Sequence, residues 1–185
     1  MATPLQIRAV CHTLSAGGVI AYPTEAVWGL GCDPMNRHAG ERLLHIKRRD
    51  WRKGLILIAA NYSQLRPYIA DIPLNALAPA LASWPGPVTW LVPASERVPE
   101  WVRGEHQTIA VRVTAHPVAA ALCNAFGGAI VSTSANRSGE SPAMSVTQVR
   151  LRFGDSLDAV LAGPLGGRAQ PTTIRDLQSG KVLRP

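Results

Sequence analysis

The sequence predicts an α/β protein with an open, twisted, mixed sheet and flanking helices. Short runs of apolar residues alternate along the chain with amphipathic helical patterns. Most of these runs are continuously apolar, which is typical of strands that helices cover on both faces. Some connections are too short for the crossovers that parallel strands require, so the sheet is expected to be mixed. With 185 residues, we expect a single domain over residues 1–185 with one sizeable core.

The helices are identified by apolar residues at helical spacing and by residues that begin or end helices. Gly17-Gly18 ends the first helix, Pro117 suits the first turn of a later one, and Ser145 is a plausible cap for the last. Helices are predicted at residues 5–16, 41–49, 116–125 and 146–153. Broken helical turns are predicted at residues 65–81, where three prolines interrupt the pattern.

The strands are identified by short runs rich in Val, Ile and Leu that end at Gly, Pro or polar residues. They are predicted at residues 19–22, 55–59, 88–92, 108–113, 129–133, 158–161 and 172–175. Residues 22–31 are interpreted as a strand end followed by a glycine-containing turn. Such loops are common ligand sites in open α/β sheets, but a plain connecting loop explains the pattern equally simply.

Composition narrows the class of partner. The formal charge is +7, with 19 Lys and Arg against 12 Asp and Glu, which favours anionic partners such as nucleotides or nucleic acids. No apolar run is long enough to cross a bilayer, and the N-terminus lacks a secretory pattern, so we expect a cytoplasmic protein. The cysteines Cys11, Cys32 and Cys123 are scattered, which predicts reduced thiols that are wholly or partly buried, and no zinc site or disulfide framework.

The densest run of positive charge lies at residues 42–53, directly before a predicted buried strand. A run of this kind is usually a solvated helix face. Here its end coincides with the entrance to a strand, where several cations can converge on one polyphosphate. Arginine suits phosphate because its planar fork donates two parallel hydrogen bonds. The cations of the run are Arg42, Lys47, Arg48, Arg49, Arg52 and Lys53.

Two further features suggest anion binding. Arg112 stands inside an otherwise apolar strand, where an unpaired charge would be costly. Either an internal carboxylate satisfies it, or it faces a cavity and holds the carboxylate of a ligand; the sequence leaves both open. The segment at residues 131–139 runs from a strand into small hydroxyl and amide side chains, and its backbone N–H groups can form an anion-binding nest or simply an ordinary turn.

Taken in order, five motifs resemble the YrdC-like threonylcarbamoyl-AMP synthases. Each motif alone is weak, but the ordered set is highly specific and spans most of the chain. The motifs are Ala21-Tyr22-Pro23-Thr24-Glu25, Lys47-Arg48-Arg49 with Lys53-Gly54-Leu55-Ile56, Trp84-Pro85-Gly86-Pro87-Val88-Thr89, Ala110-Val111-Arg112-Val113, and Val131-Ser132-Thr133-Ser134-Ala135-Asn136 with Ser138-Gly139.

The resemblance implies a short, single-domain YrdC-like fold around a basic concave cavity, and it implies a nucleotidyltransferase reaction. L-Threonine and bicarbonate form a carbamate, which attacks the α-phosphate of ATP and releases pyrophosphate. The product, L-threonylcarbamoyladenylate, then serves a protein complex that transfers the threonylcarbamoyl group to adenosine beside the anticodon of certain tRNAs. Mg²⁺ would arrive with ATP, without dedicated protein ligands.

The resemblance also implies site residues. Lys47 and Arg49 would be catalytic by acting on the phosphates, and Arg112 would pair with the carboxylate of threonine. Threonine would further contact Thr24 and Thr172. The residues that would contact ATP are Lys47, Arg49, Lys53, Thr108, Ser132, Ser134, Asn136 and Arg184.

Two other functions fit parts of the sequence. A non-catalytic module that binds double-stranded RNA or tRNA would suit the net charge, and tRNA is a candidate partner of the enzyme as well. However, few aromatic residues are interleaved with the basic run, and no known RNA-binding motif is present. A carbamoyl adenylate domain of the hydrogenase-maturation type normally lies within a much longer chain.

Overall fold

Nine strands form one sheet in the described part of the chain, which comprises residues 2–168, 170 and 172–184 of a computed structural model. The sheet is open, and its strand order is β7-β1-β2-β6-β3-β5-β4-β8-β9. The strands are β1 (Ile20–Pro23), β2 (Trp28–Gly31), β3 (Ile56–Ala59), β4 (Val88–Pro93), β5 (Thr108–Val113), β6 (Ile130–Ser134), β7 (Ala159–Val160), β8 (Thr173–Asp176) and β9 (Val182–Arg184).

Helices connect and cover these strands. They are α1 (Pro4–Ser15), α2 (Arg37–Lys47), α3 (Tyr62–Leu65), α4 (Ala78–Ser83), α5 (Glu100–Arg103), α6 (Pro117–Phe126) and α7 (Val146–Phe153). Single 3₁₀ turns lie at Trp51–Lys53, Arg66–Tyr68 and Gly154–Ser156. Side-chain caps fix several helix starts: Ser145 accepts a hydrogen bond from the backbone of Gln148, and His116 accepts one from Ala119.

The pairing is mixed, as the short connections predict. β3 and β5 are parallel, whereas β6 and β4, which flank this pair, run antiparallel to them. The long connection from β7 to β8 carries the chain from one edge of the sheet to the other, where β8 pairs with β4 in parallel. Strands from both halves of the chain therefore meet at the centre of the sheet.

Alternation along the strands sends side chains to two apolar layers. In β1, Ile20 and Tyr22 belong to the layer beneath α1 and α6, whereas Ala21 belongs to the larger core on the other face. In β3, Ile58 joins the first layer and Leu57 joins the second. Trp101 of α5 packs so closely on α2 that only glycine fits at position 40, because a Cβ there would lie 2.4 Å from the indole ring.

Most predicted elements are confirmed within one or two residues, and β5 and α7 have the predicted bounds. The interpretation of residues 22–31 as a strand end and a loop was wrong, because Trp28–Gly31 forms β2 in a tight hairpin with β1. β2 also pairs with β6, and a Cβ at Gly31 would approach the carbonyl oxygen of Val131 in β6 to 2.3 Å, so this close approach requires glycine. The short elements β9 and α5 were not predicted either.

No helix in the described ranges is both long and apolar enough to cross a membrane. The three cysteines are free thiols, as expected: Cys32 and Cys123 are buried, and Cys11 is partly buried.

Candidate active site

A cavity of about 450 Å³ lies on one face of the sheet, and the central strands of the sheet form its floor. In β5, successive side chains point to opposite faces of the sheet. Thr108, Ala110 and Arg112 line the cavity, whereas Ile109 and Val111 point into the core on the opposite face. Loops before β2 and before β3, together with β8 and β9, supply the walls.

The structure brings most of the predicted site residues to this one cavity. They come from distant parts of the chain and meet only because their strands are neighbours in the sheet. The predicted residues that line the cavity are Thr24, Arg49, Lys53, Thr108, Arg112, Ser132, Ser134, Thr172 and Arg184. Lys47 and Asn136 do not contribute to the wall, but they contact Ser134 from behind it.

Arg112 is almost fully buried, at 4% exposure, yet it forms part of the cavity wall. Its Nη2 lies 3.3 Å from Oε2 of Glu25. Its Nη1 donates to the hydroxyls of Thr172 at 2.8 Å and Thr89 at 3.4 Å. Its Nε is buried and has no hydrogen-bond partner among the described residues. The internal carboxylate considered from the sequence therefore exists, and Arg112 also lines the cavity.

Glu25 is the partner that the sequence did not identify. Burial alone would raise the pKa of this carboxyl, but the Arg112 guanidinium and a hydrogen bond from Thr114 hold the pKa below its ordinary value. Glu25 is thus ionised at neutral pH and forms a buried ion pair with Arg112. The sequence showed that Arg112 needed an anion, but nothing in it distinguished Glu25 from the other acidic residues.

Lys47, at the end of α2, is buried beneath the turn that follows β6. Its Nζ donates to the carbonyl oxygens of Ser134 and, at 2.8 Å, of Asn136. Burial and the nearby charge of Arg49 lower the pKa of Lys47 to about 7. In this arrangement Lys47 holds the turn of residues 134–136 in place, and an anion beside the turn would favour its charged form.

The chain reverses direction between Lys47 and Arg49. Arg48 adopts a left-handed conformation with a φ of 50°, which ends α2 and sends Arg49 to the cavity wall. The Nη2 of Arg49 donates to the carbonyl oxygen of Gly54 at 2.9 Å. Its Nε is also buried without a partner in the described ranges. Arg49 and Arg112 both line the cavity, and each has a buried Nε without a hydrogen-bond partner among the described residues.

Two basic side chains of the wall, those of Arg103 and His106, were not predicted. Arg103 ends α5, and His106 follows it in the loop to β5. Arg103 donates from Nη1 to the carbonyl oxygen of His106 at 2.7 Å, which fixes the two residues to each other. The signal available in the sequence was weak, because α5 is a single turn and Arg103 lies outside the dense basic run.

The wall contains five Arg and Lys side chains and no carboxylate in the part of the chain that the structure describes. Likewise, the described residues include no group of three or more His, Cys, Asp or Glu side chains placed to hold a metal ion. The side chains thus favour binding of anions rather than of a free divalent cation. Hydroxyls of Thr24, Thr108 and Ser132 provide neutral hydrogen-bonding groups between the cations.

Sequence comparison assigns almost the whole chain to relatives of one kind. Proteins named threonylcarbamoyl-AMP synthase from Halorhodospira halophila and Alkalilimnicola ehrlichii are each 59% identical to it. The first alignment covers 98% of this chain and 95% of the relative, and the second covers 97% and 95%.

Solved structures have the same fold. Sua5 of P. abyssi, determined in complex with L-threonine, superposes with a TM-score of 0.90 at 32% identity, covering 97% of this chain and 53% of that one. This chain therefore spans about half the length of that protein. YciO of E. coli superposes with a TM-score of 0.83 at 27% identity, covering 99% and 91%. The family model for Sua5, YciO and YrdC, described as telomere recombination, matches residues 12–185. The chain belongs to the Sua5/YciO/YrdC family.

Proposed function

We propose that this protein is a threonylcarbamoyl-AMP synthase that converts L-threonine, bicarbonate and ATP into L-threonylcarbamoyladenylate and pyrophosphate. The names of the relatives at 59% identity support this activity. The structural observation that carries it is that Arg49, from the loop before β3, and the buried Arg112 of β5 line the same cavity. The two guanidinium groups come from different parts of the wall, so the cavity offers cations for two different anions.

Arg112 binds the carboxylate of threonine. Arg112 lines the cavity, and a carboxylate accepts two parallel hydrogen bonds from a guanidinium. The hydroxyls of Thr24 and Thr172, which line the cavity, bind the rest of the amino acid. The P. abyssi relative in complex with L-threonine supports the choice of amino acid.

Arg49 and Lys53 bind the phosphates of ATP, and Lys47 acts with them through the turn at residues 134–136. Thr108, Ser132, Ser134, Asn136 and Arg184 complete the nucleotide site. The threonine amine reacts with bicarbonate to give a carbamate and water, and a carbamate oxygen then attacks the α-phosphate as pyrophosphate leaves. Because an anion attacks an anion, fixed cations lower the barrier by reducing the repulsion and aligning the reactants.

Mg²⁺ enters this proposal only as the counterion of ATP. The cavity wall contributes no carboxylate in the described residues, and Glu25 is already engaged by Arg112 and Thr114. These residues do not form a Mg²⁺ site of their own, so no step is assigned to a protein-bound metal.

The adenylate is an activated carrier, so a protein complex that transfers the threonylcarbamoyl group to tRNA is the proposed consumer. The competing hypothesis, a module that only binds RNA, is less well supported. It does not require Arg49 and the buried Arg112 in the wall of one cavity that hydroxyl groups also line. An enzyme that binds a carboxylate and a triphosphate in one cavity does require them.

The test is to incubate the purified protein with threonine, bicarbonate and ATP and to analyse the products by mass spectrometry. Pyrophosphate and threonylcarbamoyl-AMP should appear only when all three substrates are present, and isotopically labelled bicarbonate should label the adenylate. Formation of ADP and inorganic phosphate as the main products would contradict attack at the α-phosphate.

A further inference from the structure

We propose that Glu25 is a positioning residue for threonine: it fixes the Arg112 guanidinium at the cavity wall, in the orientation that binds the carboxylate of the substrate. The inference rests on the proposed function, because it concerns the same end of the cavity. Glu25 itself does not line the cavity, although its neighbours Thr24 and Ala26 do. Its carboxylate therefore acts on the substrate through Arg112.

Both carboxylate oxygens of Glu25 are engaged. Oε2 accepts from Nη2 of Arg112 at 3.3 Å, and Oε1 accepts from the hydroxyl of Thr114 at 2.6 Å. The Thr114 hydroxyl is itself held, since it accepts a hydrogen bond from the backbone N–H of His116 at 3.1 Å. Glu25 is 6% exposed and Thr114 is 2% exposed, so water does not weaken this chain of contacts.

The backbone of Glu25 is fixed as well. The carbonyl oxygen of Glu25 accepts a hydrogen bond from the backbone N–H of Arg168 at 3.1 Å. The carbonyl oxygen of Thr24 accepts one from the backbone N–H of Gly166, also at 3.1 Å. Gly166 lies so close that a Cβ there would be 2.9 Å from the Cα of Glu25. The carboxylate thus projects from a rigid part of the chain, as a group that orients another side chain must.

The contacts of Arg112 show why an acid is needed. Without Glu25, the guanidinium would keep only the hydroxyls of Thr172 and Thr89, both on Nη1, and it could rotate about that end. Removal of Glu25 has a second, opposite effect, because a negative charge near the substrate carboxylate disappears. We expect the loss of orientation to dominate, because a bidentate pair requires both N–H groups in place, whereas the added attraction does not restore the geometry.

The experiment is calorimetric titration of threonine and, separately, of ATP into wild-type protein and the Glu25→Gln variant. Threonine affinity should fall on the order of tenfold, and ATP affinity should stay within about twofold. The matched control is Glu41→Gln, the same chemical change in an exposed ion pair with Arg37. This control should bind both ligands as the wild type does.

A second pair of variants tests the same role without touching the ion pair. Thr114→Val removes the hydrogen bond to Oε1, and Thr114→Ser keeps the hydroxyl. Threonine binding should weaken in the valine variant and recover in the serine variant, with ATP binding unchanged in both. If Glu25→Gln does not fold, this pair decides the question alone.

Three results would overturn the proposal. One is threonine affinity in Glu25→Gln or in Thr114→Val that equals or exceeds that of the wild type. Another is a parallel loss of threonine and ATP binding, which would assign Glu25 a purely structural role. The third is a wild-type protein that binds ATP but not threonine, and this result would separately refute the proposed function.

Discussion

Arg184 holds the carbonyl oxygen of Thr172 with two hydrogen bonds, from Nε at 3.2 Å and from Nη2 at 2.7 Å. The hydroxyl of the same threonine accepts from Arg112. Thr172 is therefore clamped between two arginines, one at its backbone and one at its side chain. Arg184, assigned to ATP from the sequence, is placed to influence the threonine end of the cavity too.

We expect Arg184→Ala to weaken binding of both substrates. The loss for ATP follows from the missing cation, and the loss for threonine follows from the release of Thr172. Separate calorimetric titrations would measure the two effects. An unchanged threonine affinity, with ATP binding impaired, would show that the clamp on Thr172 does not matter for the amino acid.

Arg112→Lys should lose threonine binding while retaining most of its ATP binding. Lysine keeps a charge for Glu25, so the variant should fold, but its single amine cannot serve Thr172, Glu25 and a ligand carboxylate together. The expected loss is about 2–5 kcal/mol in threonine binding. Arg112→Ala should lose threonine binding and also stability, because it leaves Glu25 buried without a cation. Threonine binding at wild-type strength in the lysine variant would restrict Arg112 to a structural role.

ATP binding should weaken as salt rises, because the wall of the cavity is rich in arginine and lysine. Arg49→Ala and Lys47→Ala should bind ATP poorly while remaining folded. Arg37→Ala, which removes an exposed arginine outside the cavity, is the matched control. Wild-type ATP affinity in both variants would contradict the assignment of Arg49 and Lys47 to the nucleotide site.

The low pKa of Lys47 predicts that the folded protein gains stability as pH rises. Burial and Arg49 lower this pKa from 10.5 to about 7, so between these values the unfolded chain binds a proton that the folded chain lacks. The free energy of unfolding should therefore increase from about pH 7 towards pH 10, by about 1.4 kcal/mol per pH unit at most.

Urea denaturation of the wild type and of Lys47→Met at several pH values would measure this gain. The methionine variant has no amine to titrate, so its free energy of unfolding should rise less steeply over the same range. Equal pH dependence in the two proteins would show that Lys47 has an ordinary pKa when folded.

Arg48→Gly should be neutral or stabilising, by about 1 kcal/mol at most. Arg48 is exposed and adopts a left-handed conformation, which glycine adopts without strain. Arg48→Val should lower the melting temperature, because a β-branched residue resists this conformation. Thermal unfolding of both variants would check the prediction, and a more stable valine variant would contradict it.

The central strands were predictable because their runs are continuously apolar, as β3 illustrates with Leu57 and Ile58 buried in opposite layers. β2 was not, because Trp28-Gly29-Leu30-Gly31 contains two glycines that suggest a turn, whereas the close approach to β6 requires glycine at position 31. β9 was not predicted because it is short and exposed, and it forms a strand by pairing with β8.

The site residues that belong to a family motif could be predicted from the sequence. The grouping of Thr24, Arg112 and Thr172 in one wall could be expected from the family pattern. The ion pair between Glu25 and Arg112 could not, because it joins residues 87 positions apart through sheet order alone. The burial of Lys47 beneath the turn after β6 depends on tertiary packing in the same way.

The arrangement of the sheet has a consequence during translation. The cavity wall begins at Thr24 and ends at Arg184, and β8 and β9 are added at one edge only after the central strands exist. A ribosome must therefore release almost the entire polypeptide before Thr172 and Arg184 can reach Arg112. A nascent chain that stops before β8 therefore lacks the side of the cavity that Thr172, Ile174 and Arg184 form.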